Sequence, residues 1–208
     1  MPLTAMATVA PLKIRLILAS TSPYRRELLQ RLRWPFDSQS PQVDEAARPG
    51  ELPADMACRL ALEKAQAVAR LHPDAVVIGA DQVADLDGVA LGKPGSHARA
   101  VAQLRALRGR SVVFYSAVAV VRAGTGFAQV RTAPVTVRFR ALSDAEIEHY
   151  LHTETPYDCA GSAKCETLGI ALLDAIDSDD PTALIGLPLM RTCALLRAAG
   201  IDVLAVPA

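Results

Sequence analysis

Apolar positions along this chain fall into alternating blocks with two different periods. Leu16-Ile17-Leu18-Ala19 is a short unbroken apolar run, which predicts a first buried strand at about 15–20. Ser22 then offers an N-cap, and Pro23 falls at the first helical position, where its missing N–H costs nothing, so a helix is predicted over 23–33. A Pro-rich segment, Trp34 to Asp44, separates this unit from the next. Leu60, Ala61, Lys64, Ala65, Val68 and Leu71 recur at helical spacing and predict a long helix over roughly 54–71. Ala75 to Gly79 reads as a buried strand that leads into Ala80-Asp81-Gln82-Val83. Asp87-Gly88 reads as a hairpin turn before Leu91-Gly92-Lys93-Pro94.

The second half continues the pattern. Ser96 is placed to cap a helix that runs to about Arg108. Ser111 to Val121 and Phe127 to Phe139 are long strand runs on either side of a Gly124/Gly126 turn, which predicts an antiparallel pair. Ser143 with Glu146 three residues later has the capping-box spacing. Beyond Thr153 the pattern becomes irregular and Gly-containing, followed by an apolar run from Gly169 to Ile176. A last helix is predicted from about Pro188 to Ala199, stopped by Gly200. Strands that alternate with helices in this way predict an α/β or α+β fold on a mixed sheet, with no linker that would separate independent domains.

Composition narrows the function classes. The 208 residues are 51% hydrophobic and 21% charged, which is ordinary for a globular protein. Formal net charge is zero, so no overall field draws the chain to nucleic acid or to an anionic membrane, and any phosphate binding must come from a local cluster. No apolar run approaches the roughly 20 residues of a membrane span. Residues 1–13 are small and apolar and read as a loose extension, with Met6 an alternative start; their order of charge and apolarity is the reverse of a secretory signal. Cys58, Cys159, Cys165 and Cys193 form no CxxC pair and have no neighbouring histidines, so neither a zinc site nor a disulfide framework is indicated, and reduced thiols in the cytoplasm are expected. His149 and His152 read as exposed positions on one helix rather than metal ligands.

The first strand–helix junction carries the most chemistry. A helix start exposes unpaired N–H groups and a partial positive charge, and Ser20, Thr21, Ser22, Arg25 and Arg26 surround it with donors suited to an anion such as phosphate. Asp81, leaving an apolar strand, is expected at the mouth of a cleft, although a turn Asp bonded to its own backbone has the same local pattern. Lys64 lies just inside the apolar face of the long helix, where a lysine can also snorkel to solvent, and Lys93 stands in a Gly-Lys-Pro turn. Carboxylates that hold a hard divalent cation, together with Lys and Arg that offset phosphate charge, are what a catalytic phosphate site requires. Walker-type GK[ST], GxGxxG, GxSxG and HExxH motifs are all missing from the sequence.

Taken together, SxSPxRR at 20–26, Val43-Asp44-Glu45, Glu63-Lys64-Ala65, Gly79-Ala80-Asp81-Gln82-Val83, Gly92-Lys93-Pro94 and Gly186-Leu187-Pro188-Leu189 resemble the Maf-like nucleotide pyrophosphatases over about residues 14–200. The resemblance implies one domain over 14–208, with two lobes around an elongated mixed β-sheet and an interlobe active-site cleft. It implies hydrolysis of a nucleoside triphosphate to the monophosphate and pyrophosphate with a divalent metal, magnesium first and manganese or cobalt as alternatives. Position by position, it implies Asp81 as catalytic carboxylate, Arg25, Lys64 and Lys93 as triphosphate-binding cations, Ser20 and Ser22 as phosphate donors, and Glu45 with Asp81 as metal ligands. A homodimer is also implied.

Three positions point to a branch. Tyr24, Gln82 and Glu166 differ from the Arg, Thr and Gln of the branch favouring dTTP and UTP, and look like the branch that hydrolyses 7-methyl-GTP. Tyr24 departs from the tryptophan expected there. Methylation at N7 makes guanine cationic, and an aromatic face then gains about 0.5–2 kcal/mol. An ionised carboxylate can accept from both N1–H and the exocyclic amine of guanine. Tyr24 is therefore expected against the base, Glu166 on its Watson–Crick edge and Gln82 fixing orientation. The alternatives are a dTTP/UTP pyrophosphatase of the same family and a nucleotide-binding regulator of cell division that does not hydrolyse.

Overall fold

The computed structural model describes residues 14–205; the proposed N-terminal extension and alternative start lie outside them. Strand β1 (Leu16–Ala19) is wholly buried and passes through Ser20–Ser22 into helix α1 (Pro23–Gln30). The Pro-rich segment holds a two-residue strand, β2 (Asp37–Ser38), parallel to β1. It is too short to leave a periodic signal. Helix α2 (Pro53–Ala69) follows, then β3 (Val76–Leu86), β4 (Val89–Leu91), α3 (His97–Leu107), β5 (Ser111–Arg122), β6 (Phe127–Phe139), α4 (Asp144–Glu154), β7 (Leu173–Asp177) and α5 (Leu189–Ala198). Ser22 and Ser96 cap α1 and α3, and Ser143 with Glu146 forms the capping box of α4. Gly200 stops α5 in a left-handed conformation, φ 94°. Helix α1 ends three residues short of its expected end, with Arg33 taking φ 54°.

Asp81 is not at the end of a strand. Strand β3 continues from Val76 to Leu86, and Asp81 pairs with Ala117 in the middle of its antiparallel ladder with β5. The apolar run is interrupted by Asp81 and Gln82 while the backbone remains extended, so a reading from hydrophobicity ends the strand too early. The cleft arises on the other edge. Strand β1 pairs with β3 in parallel over 76–79 and then stops; β4 pairs over 84–86. Among the described residues no strand therefore lies beside 80–83 on that edge, and the opening in the ladder lies at Asp81 and Gln82.

The seven-stranded mixed sheet has the order β2-β1-β3-β5-β6-β7, with β4 also on β3. Its two ends build separate cores. Leu16, Leu18, Val76, Ile78, Val118 and Val120 pack with α1 and α5 on one face, while Ile17, Val77 and Ala119 pack with α2 on the other. Beyond the opening, Leu86, Phe114, Val135, Val137 and Phe139 form a third core with α3 and α4. These are the two lobes, joined by β3, β5 and β6. No described helix is long and apolar enough to cross a membrane.

Helix α2 lies unusually close to β3. A Cβ placed on Gly79 would stand 2.2 Å from the Ala61 carbonyl oxygen and 2.5 Å from the Ala65 nitrogen, both backbone atoms that cannot step aside. Gly79→Ala is therefore expected to lower unfolding free energy by about 1–3 kcal/mol or more, the usual range for overpacking a filled core. Urea denaturation of the variant against the parent measures it, and equal midpoints would show that the helix can shift at no cost.

Candidate active site

The turn between β1 and α1 is braced by its own serines. The Ser22 N–H donates to Ser20 Oγ at 3.1 Å, and Ser22 Oγ accepts from the Arg25 N–H at 3.4 Å. The remaining N–H groups of the first helical turn face outward beyond the strand with the positive end of the helix dipole. Arg25 donates Nε to the Gly186 carbonyl at 2.9 Å, and among the described residues its two terminal nitrogens have no hydrogen-bond acceptor. Burial lowers the pKa of this guanidinium, opposed by the charges of Asp81 and Glu45, and it remains a cation throughout. Arg26 goes elsewhere. It lines an adjoining cavity of about 250 Å³ with Ser38 and Gln39, which shares Ser20, Thr21, Ser22 and Ser40 with the main cleft, so of the two arginines only Arg25 lines the main cleft itself.

Lys64 is the centre of the charged cluster. Its Nζ lies 2.6 Å from Asp81 Oδ1 and 2.8 Å from Glu45 Oε1, with Lys64 and Asp81 buried and Glu45 exposed at the cavity rim. It occupies the inner face of α2 and does not snorkel, because the close approach at Gly79 puts the helix directly over β3. For Glu45, burial pushes the carboxyl pKa up, but the hydrogen bond and charge of Lys64, with Lys93 and Arg25 behind it, prevail and hold it below the usual carboxylate range. Lys93, exposed in its turn, completes the set.

Other residues of the cleft lining have a different character. Tyr24 presents its ring there, with the Lys164 ammonium 5.4 Å from the ring centroid. Burial raises the pKa of the Tyr24 hydroxyl, which stays protonated at neutral pH. Glu166 is exposed at the rim beside Cys165. Burial, aided by adjacent carboxylates, pushes the Cys159 and Cys165 thiols up to about 12, so both remain unionised. Gln82 donates Nε2 to the carbonyls of Ala183 and Leu184, each at 3.0 Å. What it holds is the 183–186 turn, whose Gly186 carbonyl receives Arg25 from the other side.

One cavity of about 820 Å³ is lined by Ser20, Ser22, Tyr24, Arg25, Glu45, Lys64, Asp81, Gln82, Lys93 and Glu166. Apart from Arg26, every residue singled out from sequence for phosphate, metal or base thus lines the same space, which is within the usual size of small-ligand sites. Two carboxylate oxygens converge on a single cation, the Lys64 ammonium, and this all-oxygen donor pair is of the kind a hard divalent ion takes.

Arg59 was not foreseen. From α2 it donates to Glu51 at 2.5 and 2.7 Å, to Glu63 at 3.1 Å and to the Ala46 carbonyl at 3.1 Å, while Arg48 bonds Glu63 at 2.8 Å. This network ties the 46–51 loop to α2, and Glu45 stands at the loop's edge. The sequence signal available was the Arg59/Glu63 spacing of four; the Glu51 partner depends on how the loop folds back. Lys164 over Tyr24 was equally hidden, since the two are far apart in the chain.

Comparison with known proteins is in keeping with this arrangement. The family described as Maf-like protein matches residues 15–199. A 7-methyl-GTP pyrophosphatase of Albidiferax ferrireducens is 68% identical over 93% of this chain and 98% of its own length. Proteins of the same name from Polaromonas sp. and Burkholderia thailandensis are 62% and 58% identical, covering 97% and 93% of this chain and 92% of each relative.

Hydrogen bonds from Arg59 hold the Glu51 carboxyl down to about 2 from its ordinary 4.5. A depressed acid contributes stability that is present in full above its unfolded pKa and is lost as pH falls through the folded one. Wild type is therefore expected to lose stability between pH 4.5 and 2 in part through this group. Glu51→Gln should flatten that part of a chemical-denaturation-against-pH profile; an unchanged slope would show that the Arg59 network does not bear on folding.

Proposed function

This chain belongs to the Maf-like protein family, and from that membership we propose that it is a pyrophosphatase hydrolysing 7-methyl-GTP to 7-methyl-GMP and pyrophosphate, the activity for which its relatives are named. The observation that carries the reading is a single cavity lined both by cations and carboxylates (Arg25, Lys64, Lys93, Glu45 and Asp81) and by an aromatic ring and a further carboxylate (Tyr24 and Glu166). Four unpaired cysteines support a reducing compartment, and we place the activity in the cytoplasm.

In this reading Arg25, Lys64 and Lys93 offset the charge of the triphosphate, and Ser20, Ser22 and the start of α1 receive its oxygens. Asp81 takes a proton from the water that attacks the α-phosphorus. The new bond joins water oxygen to that phosphorus, the α–β bridge breaks, and pyrophosphate leaves with the bridging oxygen. Lys64 keeps the Asp81 carboxylate oriented through its 2.6 Å contact. A divalent cation, with magnesium first and manganese or cobalt as substitutes, would be held by Glu45 and Asp81 and would offset phosphate charge as a Lewis acid. At the base end the Tyr24 ring attracts cationic 7-methylguanine as it attracts the Lys164 ammonium, and Glu166 accepts from the guanine edge. Gln82 acts on the wall, by fixing the 183–186 turn, rather than on the base.

The test is pyrophosphate release from 7-methyl-GTP, GTP, UTP, dTTP and CTP in the presence of magnesium. Preference for 7-methyl-GTP is expected, and Asp81→Asn should lower turnover by about 10²–10⁴-fold, the span of a general-base contribution, while keeping the parent circular dichroism. Glu166→Gln should reduce the 7-methyl-GTP to UTP ratio by about tenfold or more, as loss of hydrogen bonds to a charged acceptor would. Preference for UTP or dTTP would keep the chemistry and remove the roles of Tyr24 and Glu166. Binding without release from any nucleotide would favour the regulator instead.

A further inference from the structure

Outside the cavity, folding brings together three metal-ligating side chains that the sequence keeps apart. His97 opens α3, whereas Glu148 and His152 lie one turn apart on α4. His97 Nε2 stands 2.8 Å and His152 Nε2 3.7 Å from the same oxygen, Glu148 Oε2, and the donor atoms of all three lie within 4.8 Å of one another. The two imidazoles stack with centroids 4.8 Å apart and planes 27° from parallel. None of the three lines the 820 Å³ cavity.

We propose that His97, Glu148 and His152 form a second metal site, one that takes zinc or a similar transition-metal ion. Two imidazoles with one carboxylate and an open fourth position are a familiar zinc donor set, and nitrogen ligands disfavour the magnesium expected at Glu45 and Asp81. Both imidazole Nε2 atoms approach one carboxylate oxygen, and of the three side chains His152 is exposed while His97 and Glu148 are half-buried, so a small shift, chiefly of His152, suffices to place an ion between them. An outer partner is already in place. His97 Nδ1 is 3.0 Å from the Tyr157 hydroxyl; with Nδ1 as donor, Nε2 keeps its lone pair toward the metal, which is how ligating histidines are commonly oriented. Tyr157 is itself tied down, since its carbonyl accepts from the Gly95 N–H at 2.9 Å.

The site would have a mechanical consequence. His97 lies four residues after Lys93, and Tyr157 directly precedes Asp158 and Cys159; Lys93, Asp158 and Cys159 all line the main cavity. An ion at His97, Glu148 and His152 would pin α3 to α4 and steady both cavity-lining segments from outside. The proposal stands whether or not the chain hydrolyses a nucleotide.

The full chain, stripped of metal and then supplied with excess magnesium to occupy oxygen-rich sites, is titrated with zinc chloride by calorimetry. One zinc per chain is expected, with a rise in melting temperature that depends on zinc concentration. His152→Ala, at a side chain 74% exposed, should preserve the fold and weaken zinc binding by at least about tenfold, a loss that removing even an outer-shell partner can bring. Tyr157→Phe should weaken it by about tenfold through the ring orientation. Cobalt in place of zinc should give the visible absorption of a four-coordinate ion in wild type and lose it in His97→Ala. Absence of zinc binding, equal binding by wild type and His152→Ala, or loss of binding only in cysteine or Asp81 variants would overturn the site. The cluster would then be an ordinary His97–Glu148 hydrogen bond.

Discussion

Helix α2 can rest on strand β3 only because Gly79 has no side chain, and that contact decides where the ammonium of Lys64 goes. Pressed against the sheet, the lysine cannot reach bulk water, so it ends between the buried carboxylate of Asp81 and the rim carboxylate of Glu45. Such a grouping is a poor way to gain stability. Removing charges from water is expensive, and a well-packed apolar triad of equal volume would often serve the fold as well or better. Its value is positional: the ion pair fixes a carboxylate at one point in an opening of the ladder, in a cavity that Arg25 and Lys93 also line.

The opening has a simple origin. A strand that continues while its neighbour stops leaves part of its edge uncovered, and here β1 stops opposite Gly79 while β3 goes on for seven more residues, to Leu86. The chain that leaves β1 turns at once into α1, so the positive helix start lines the same cavity as the uncovered stretch. Sheet pairing and helix capping, two local rules, together create an anion site facing a carboxylate.

Much of this was legible from residue pattern. The serine caps, the long β5–β6 pair and the α2 stripe as far as Val68 follow from period and capping chemistry, and the structure reproduces them; Leu71, expected to close the stripe, lies beyond the helix end at Ala69 and is exposed. Asp81 was placed at a strand end because hydrophobicity reports burial rather than extension, and the two diverge where a polar residue is buried by ion pairing. Strand β2 was invisible for want of length. The candidate site residues were picked out by type and by family likeness, whereas contacts made across the fold were not: Arg59 with Glu51, Lys164 over Tyr24 and His97 with Tyr157 join residues whose approach no local period encodes. The histidines show the limit best. His152 reads as a solvent-facing helical position, which it is, and only tertiary packing supplies His97 beside it.

Strands β3, β5 and β6 run unbroken through both cores, with 11, 12 and 13 residues. A jaw that swings needs a joint, and a continuous three-stranded ladder offers none without breaking main-chain hydrogen bonds. Continuous strands resist a hinge between the two lobes, and whatever enters or leaves does so past the rim, where Glu45, Lys93, Asp158 and Glu166 are the exposed charged groups. Selectivity in such a body can be retuned by altering rim loops one at a time, while the frame that aligns Asp81 is left as it is.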